Sequence, residues 1–411
     1  HRDLHSFPTR RSSDLPKAGA SSKTEPIIET SAEGHSSTSD QDLDDKPPAI
    51  AVLPFVNMSG DPEQEYFADG ITEDIITNLS LWRTFPVISR NSSFTYKGKS
   101  VNLKEVYQEL GARYIVEGSV RKGGKRVRIT AQLIDAEQDH HLWTEKWDKN
   151  LEDIFEIQDE VSASIAGQIN PTLEDHERER VERAKPTNYN AWETYLKSLH
   201  IFNNRNPSDH EDIELKKALT LCEEAIKLDP SFSLAYSLLA KICEWELLQF
   251  TTEDSKKTLK DMLSYAKKSE ELDPKNPIAA YGIARHYFFS GKFEQAKLYS
   301  ERAILLNPSY PDAQNILGQS LVHSGDFIES EKHFLKAIEL NPLDPNAILY
   351  KDGLYFAQMG LGNYETAYLL IEECISQFSK AGFYKGFRAS VLGYLDRNKE
   401  AKNALNEYLS L

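Results

Sequence analysis

Four stretches near the C-terminal end of this 411-residue chain share one pattern. They read AIKLDP at Ala225–Pro230, SEELDP at Ser269–Pro274, AILLNP at Ala303–Pro308 and AIELNP at Ala337–Pro342. The last three prolines, at 274, 308 and 342, stand 34 residues apart. Self-similarity at that period marks a helical repeat array. No unit of such an array buries its apolar face alone, so neighbours stack into a superhelix. The rest of the chain has to be attached to that solenoid.

The best-formed unit runs from Pro277 to Pro308. Ala284 is small enough to let paired helices approach, Tyr287 fills the core, Gly291 ends the first helix, and Ala296 and Ala303 line the second. The next unit carries Leu317, Gly318, Leu321, Gly325, Phe327, Phe334, Ala337 and Pro342 in the matching places, with Ser330 where alanine is usual. Earlier pairs, around Tyr189–Pro230 and Ser231–Pro274, are stretched. Pro230 and Pro274 are 44 residues apart against 34, which places ten extra residues near Leu248–Ser255. Later pairs, around Ala347–Phe378 and Gly382–Leu409, keep GNYETA and DRNKEA but lose the closing proline. The expectation is about six helical pairs over residues 187–411, the last acting as a cap.

These residues resemble the tetratricopeptide repeat (TPR) family. The resemblance implies a concave face lined by the first helix of each pair. It puts Tyr281, Arg285, Phe288, Phe289, Asn315, Gln319 and His323 on that face, with a protein or peptide in the groove. The competing assignment for each position is packing against the neighbouring repeat.

Upstream, the pattern changes to strands. AIAVLPFV at Ala49–Val56 is a near-continuous apolar run, as expected of a strand covered on both faces. Pro54 belongs near its end, where no ladder donor is needed. Asp69 or Thr72 is the expected cap of a helix running to Leu81. FPVISR at Phe85–Arg90 reads as a second strand and Asn102–Leu110 as a helix closed by Gly111. ARYIVEGSVRK and KRVRITAQLID are strands joined at Gly123-Gly124, a tight-hairpin signal. HHLWTEKWD is a fifth strand, and Leu151–Ile169 a helix. The predicted order, β-α-β-α-β-β-β-α, makes an α/β domain with a mixed sheet over residues 49–169, followed by an all-α solenoid.

The segments IAVLPFVNMSGDPEQEYFADGITEDI, VISRNSSFTYKGK and LGARYIVEGSVRKGGKRVRITAQLID resemble the TolB-like N-terminal domain. That resemblance implies a module placed between an upstream signalling domain and C-terminal TPRs. The upstream domain would be a class III adenylate/guanylate cyclase or a CadC-like winged helix. Neither is found in this sequence: the acids best placed for a cyclase metal site, Asp69 and Asp74, fall on a loop and a helix rather than on a strand hairpin.

Asp3–Leu15 reads as the translation of a sequencing adaptor, so residues 1–15 are expected to be an artefact and the native start to lie upstream. Residues 16–48 are polar and poor in aromatics, the composition of a disordered linker. Residues 170–186, which include LEDHERERVERAK, lack an apolar stripe and read as a charged linker helix.

The remaining signals mostly exclude. A net charge of −16 repels a phosphate backbone, so no direct nucleic-acid binding is expected. Cys222, Cys243 and Cys374 form no CxxC or Cys/His cluster. His140 and His141 are adjacent on a strand and point to opposite faces, which does not suit one metal ion. The SGDP loop lacks the glycine spacing and lysine of a P-loop. No apolar run reaches membrane-span length. No cofactor, metal or catalytic set is therefore assigned. Together with the missing catalytic set, the two resemblances imply a non-enzymatic sensory or scaffold portion of a bacterial signalling protein, its parent a nucleotidyl cyclase or, alternatively, a CadC-like regulator.

Overall fold

The computed structural model describes residues 47–169, 186–205, 213–344, 347–377 and 382–410. The expected artefact (1–15), all but the last residues of the expected linker (16–48) and all of the charged linker helix except residue 186 lie outside them.

The α/β part is built on β1 (Ile50–Val52), β2 (Val56–Asn57), β3 (Tyr114–Gly123), β4 (Arg126–Asp135) and β5 (His140–Asn150). Its helices are α1 (Glu65–Ser80), the single turn α2 (Arg90–Ser93), α3 (Leu103–Leu110) and α4 (Ile154–Ile169). The sheet order is β1-β3-β4-β5, with β2 also on β3. β1 and β2 run parallel to β3, and the two later ladders are antiparallel, so the sheet is mixed. Pro54, with no N–H to give the ladder, divides the first apolar run into β1 and β2. The hairpin turn is Gly124-Lys125, one residue later than expected, because Gly123 still pairs with Arg126. Gly124 has φ +59°, a left-handed conformation that glycine adopts without steric cost.

Two local expectations are corrected. Helix α1 begins four residues before Asp69, so neither Asp69 nor Thr72 caps it. Asp61 instead caps the short Pro62–Gln64 turn ahead of the helix. Thr72 lies buried in α1, where its Oγ1 accepts Phe55 N at 3.0 Å and donates to Ala68 O at 2.9 Å. The expected strand at Phe85–Arg90 is only a bridge between Val87 and Ile50. Its other backbone donors go elsewhere: Val87 N to Ser309 Oγ at 3.0 Å and Ser89 N to Leu340 O at 2.9 Å. The solenoid takes the edge that another strand would have used.

Twelve helices follow among the described residues. They pair as α5 (Tyr189–Asn204) with α6 (Ile213–Leu228), α7 (Ser233–Leu248) with α8 (Ser255–Leu272), α9 (Pro277–Phe289) with α10 (Phe293–Leu306), α11 (Pro311–Ser324) with α12 (Phe327–Leu340), α13 (Ile348–Leu361) with α14 (Tyr364–Gln377), and α15 (Phe383–Tyr394) with α16 (Asn398–Leu409). The second helices bury one narrow stripe each: Ala296, Ser300 and Ala303 in α10, then Ala367, Ile371 and Cys374 in α14. That i, i+4, i+7 spacing is one helical face. Ser330, in the alanine position of α12, donates to Gly318 O at 2.8 Å, so its hydroxyl is satisfied within the packing. The ten extra residues of the second pair are spread over a longer α7, a longer α8 and the loop between them, where Phe250 takes φ +56°.

One hydrophobic core runs through both parts. Val116, Val120, Ile129 and Leu133 of the sheet join Phe67, Ile71 and Ile75 of α1, Ile157 and Val161 of α4, and Trp192 and Leu196 of α5. Trp192 meets Phe67 edge-on at 5.7 Å and Phe155 at 5.2 Å. Gly70 leaves the space that Leu196 fills, since a Cβ there would lie 2.6 Å from the leucine methyls.

Candidate functional site

The two parts meet along a polar seam. The turns that close the third and fourth helical pairs, each Asn-Pro in sequence, form its solenoid side. Asn307 Nδ2 donates to Ser80 Oγ at 2.9 Å. Arg83 Nη2 donates to Leu305 O at 3.1 Å. Asn341 Oδ1 accepts from both Ser89 and Ser92, and Ser92 Oγ in turn accepts Leu343 N at 2.9 Å. Asn91 Nδ2 donates to Asp344 Oδ2 at 2.8 Å. Asn341 also donates to Asp344 and to the Tyr350 hydroxyl, which reaches Asp312 at 3.0 Å. At the other end of the α/β part, α1 lies along α5. There Asp69, 3% exposed, is held by Lys97 Nζ at 2.6 Å and by His200 Nδ1 at 3.0 Å. Lys122 and Tyr66 both bind Glu193. The α/β part is thus fastened to the first pair and to the turns after the third and fourth.

The seven residues expected to face the groove fall into two sets. Tyr281, Arg285 and Asn315 are buried. Arg285 Nε lies 2.8 Å from Glu244 Oε1, with both side chains under a tenth exposed, and the Tyr281 hydroxyl donates to the same Glu244 oxygen at 2.7 Å. Asn315 Oδ1 accepts Gln319 Nε2 at 3.4 Å. Phe288, Phe289, Gln319 and His323 keep more solvent-accessible surface. Phe288 sits 5.6 Å from Phe293 and 5.7 Å from His323, and the His323 ring stacks flat on Phe293 at 3.8 Å. Although the residue stays accessible, partial desolvation of its ring, stacked on Phe293, lowers the His323 pKa, which favours its neutral imidazole. The arrangement is an aromatic cluster beside an internally neutralised polar layer. Sequence reasoning missed Glu244. It lies 41 residues before Arg285, on a different repeat, and only an (i, i+3 or i+4) pair would have been visible along one helix.

Other residues weighed for chemistry are engaged structurally. Asp74 accepts Gln158 Nε2 at 2.7 Å, and both Asp69 and Asp74 lie on α1. Asn57 and Asp61 close the SGDP loop on itself, accepting Ser59 N and Glu63 N. The three cysteines are buried thiols, and burial pushes Cys243 and Cys374 up to about 12. Among the described residues no three His, Cys, Asp or Glu side chains gather as a metal-binding group. No helix among them is long and apolar enough to cross a membrane.

The tetratricopeptide-repeat profile matches residues 279–310 and 311–342, which are the third and fourth pairs. The solenoid is made of tetratricopeptide repeats. The profile matching residues 46–164 is that of the second domain of HilA/YgeH-like transcriptional regulators, so the α/β part is a HilA-like domain. The expected likeness to TolB finds only weak support. A solved TolB from Acinetobacter baumannii is 21% identical and covers 31% of this chain and 29% of its own, with a TM-score of 0.24. A TPR protein from Parabacteroides merdae is 18% identical over 54% of this chain and 80% of its own, at a TM-score of 0.38. A TPR protein from Thermus thermophilus is 17% identical over 49% and 98%, at 0.37. Among curated proteins, "Putative adenylate cyclase 3" of Rhizobium meliloti (strain 1021) is 38% identical over 250 residues. Those residues are 61% of this chain and 42% of that relative, so the chain spans less than half of the relative's length.

Proposed function

We propose that this chain is the non-catalytic regulatory portion of a bacterial signalling protein whose parent is a nucleotidyl cyclase. Its TPR solenoid grips a protein partner, and the HilA-like domain relays that event. The observation carrying the parentage is the 38% identity to the curated relative named as a cyclase. Partner binding rests on the first-helix wall, where Phe288, Phe289, Gln319 and His323 offer accessible ring and amide surface. Tyr281, Arg285 and Asn315 act behind them as supports. Residues 49–169 form the relaying domain and residues 187–411 the gripping one in this reading.

Purified chain given ATP or GTP with magnesium or manganese is expected to make no cyclic nucleotide. Measurable product would overturn the non-catalytic assignment. A second reading is favoured by the HilA/YgeH-like match: the parent is a transcriptional regulator of the CadC kind, with DNA binding upstream. The upstream reading frame of the parent gene separates the two, because a cyclase domain there supports the first and a winged helix the second.

A further inference from the structure

One carboxylate stands in the middle of an apolar stripe. On α13, Ile348 lies four residues before Asp352, and Tyr355 and Met359 lie three and seven after it, which puts all four on one helical face. The three apolar members pack into the cluster that joins the fifth and sixth pairs, together with Ile371 and Cys374 of α14 and Tyr384 and Val391 of α15. Asp352 Oδ1 is closed off from solvent there and has no hydrogen-bond partner among the described residues.

No cation answers it. Lys351, its neighbour on α13, is paired with Glu373 of α14. Arg388 of α15 is taken by Glu407 at 2.7 Å and lies 3.8 Å from Glu372. The Tyr355 hydroxyl donates across the joint to Phe387 O at 3.1 Å. Burial first, and the Asp352 charge second, raise the pKa of the Cys374 thiol and the Tyr384 hydroxyl, so both face Asp352 as neutral groups. On the far side of α13, Asp312 of α11 accepts Tyr350 and Glu331 of α12 accepts Gln358. An ionised carboxylate at this place lacks both water and a counter-ion, whereas the neutral acid is tolerated.

We propose that Asp352 is a pH-sensitive latch for the sixth helical pair: while its carboxyl is protonated the pair stays docked, and loss of the proton favours a state in which α15 and α16 come away from α13 and let water reach the charge. The side that moves follows from the attachments. α13 is tied back to α11 and α12, and through Tyr350 to Asn341 at the seam. α15 is held on α13 by the Tyr355–Phe387 ring stack at 5.6 Å and the Tyr355 hydrogen bond. End units of a repeat array open at less cost than inner ones. Burial pushes the docked carboxyl up to about 7 from its ordinary 3.8, so the docked state loses ground as pH rises between those values and no further above them.

Hydrogen-exchange mass spectrometry on the whole chain at pH 5, 6, 7 and 8, corrected for the intrinsic pH dependence of exchange, tests this. Amides of α15 and α16 should lose protection by about tenfold from pH 5 to pH 6, the slope of one released proton, and level off above pH 7. Amides of the third and fourth pairs should keep theirs. Asp352→Asn, a neutral isostere, should hold α15 and α16 at their pH 5 protection throughout, with circular dichroism at pH 5 matching the native chain. A flat native profile would overturn the latch. So would a loss of protection that survives in Asp352→Asn, which would assign it to another group. Equal loss in all pairs would show that the charge weakens the whole solenoid and not this joint. An Asp352→Asn chain that has lost helix at pH 5 would show that the position needs more than a neutral side chain, and would overturn it too.

Discussion

Two buried carboxylates in this chain are expected to respond to pH in opposite directions. Burial works against ionisation of Asp69, but hydrogen bonds from His200 and Lys97 outweigh it and hold the carboxyl below its ordinary 3.8. A carboxylate depressed in the fold stabilises it at neutral pH. That contribution fades as pH falls through the ordinary value towards the folded one. Asp69→Asn should cost about 2 kcal/mol at pH 7 in a denaturant titration, less than the roughly 3–5 for a wholly buried pair. The discount reflects Lys97 and His200, whose side chains are each 30% exposed. The difference from the parent chain should shrink below pH 4. Asp352 on α13 is the reverse case. It is only partly buried as a residue, yet its Oδ1 is closed off from solvent and has no hydrogen-bond partner among the described residues. Burial pushes its carboxyl up to about 7. The fold therefore holds a proton that the unfolded chain releases, and stability falls as pH rises from about 4 to 7. Asp352→Asn should raise the melting temperature at pH 8 and leave it unchanged at pH 4.

Among the elements, α12 shows how the stacking works. Its Phe334 is fully buried and lies over Gly318 of α11 and Gly353 of α13, both of which lack the Cβ that would overlap the ring. Phe334→Ala should destabilise by about 3–5 kcal/mol, read from equilibrium unfolding. The seam is governed by single hydrogen bonds of a different kind. Ser309→Ala removes the acceptor of the Val87 N–H, which has no strand partner to replace it, and should cost about 1–3 kcal/mol in the same measurement. How much of this could be read from sequence follows from the range of each interaction. The prolines, the Gly291 and Gly325 helix ends and the alanine stripe act within one repeat, and the period exposes them. The strand expected at Phe85–Arg90 was misplaced because its hydrogen-bond partners, Ser309 and Leu340, lie more than 200 residues away. Asp69 looked like a helix cap for the same reason: its partners Lys97 and His200 are distant in sequence, and local pattern gives no sign of them. That the rings and amides weighed for the groove lie on the first helices of the third and fourth pairs is legible from the repeat. The neutralising Glu244 was not, since it reaches across from the preceding pair.

For the whole molecule, the shared core and the polar seam make one prediction. Phe67, Trp192 and Leu196 belong to the same buried cluster as the sheet, so the HilA-like domain and the first TPR pair should not melt separately. Calorimetry should record one transition for that unit. Asn341, 1% exposed and bonded to Ser89, Ser92, Asp344 and Tyr350, is the most connected side chain of the seam. Asn341→Ala should broaden or split the transition while leaving the helical content of the folded state unchanged by circular dichroism. A single sharp transition in that variant would show that the core alone couples the two parts. A free repeat array can gain or lose units at any internal point, because each unit touches only its neighbours. This array touches the HilA-like domain at the first pair and again after the third and fourth. Duplicating a unit between those anchor points would carry Asn307 and Asn341 one step past Ser80 and Ser89. A unit added after the fifth pair would leave both in register, with Leu343, Asp344 and Tyr350 still in place. Length change, whether by evolution or by design, is therefore confined to the distal end of the solenoid.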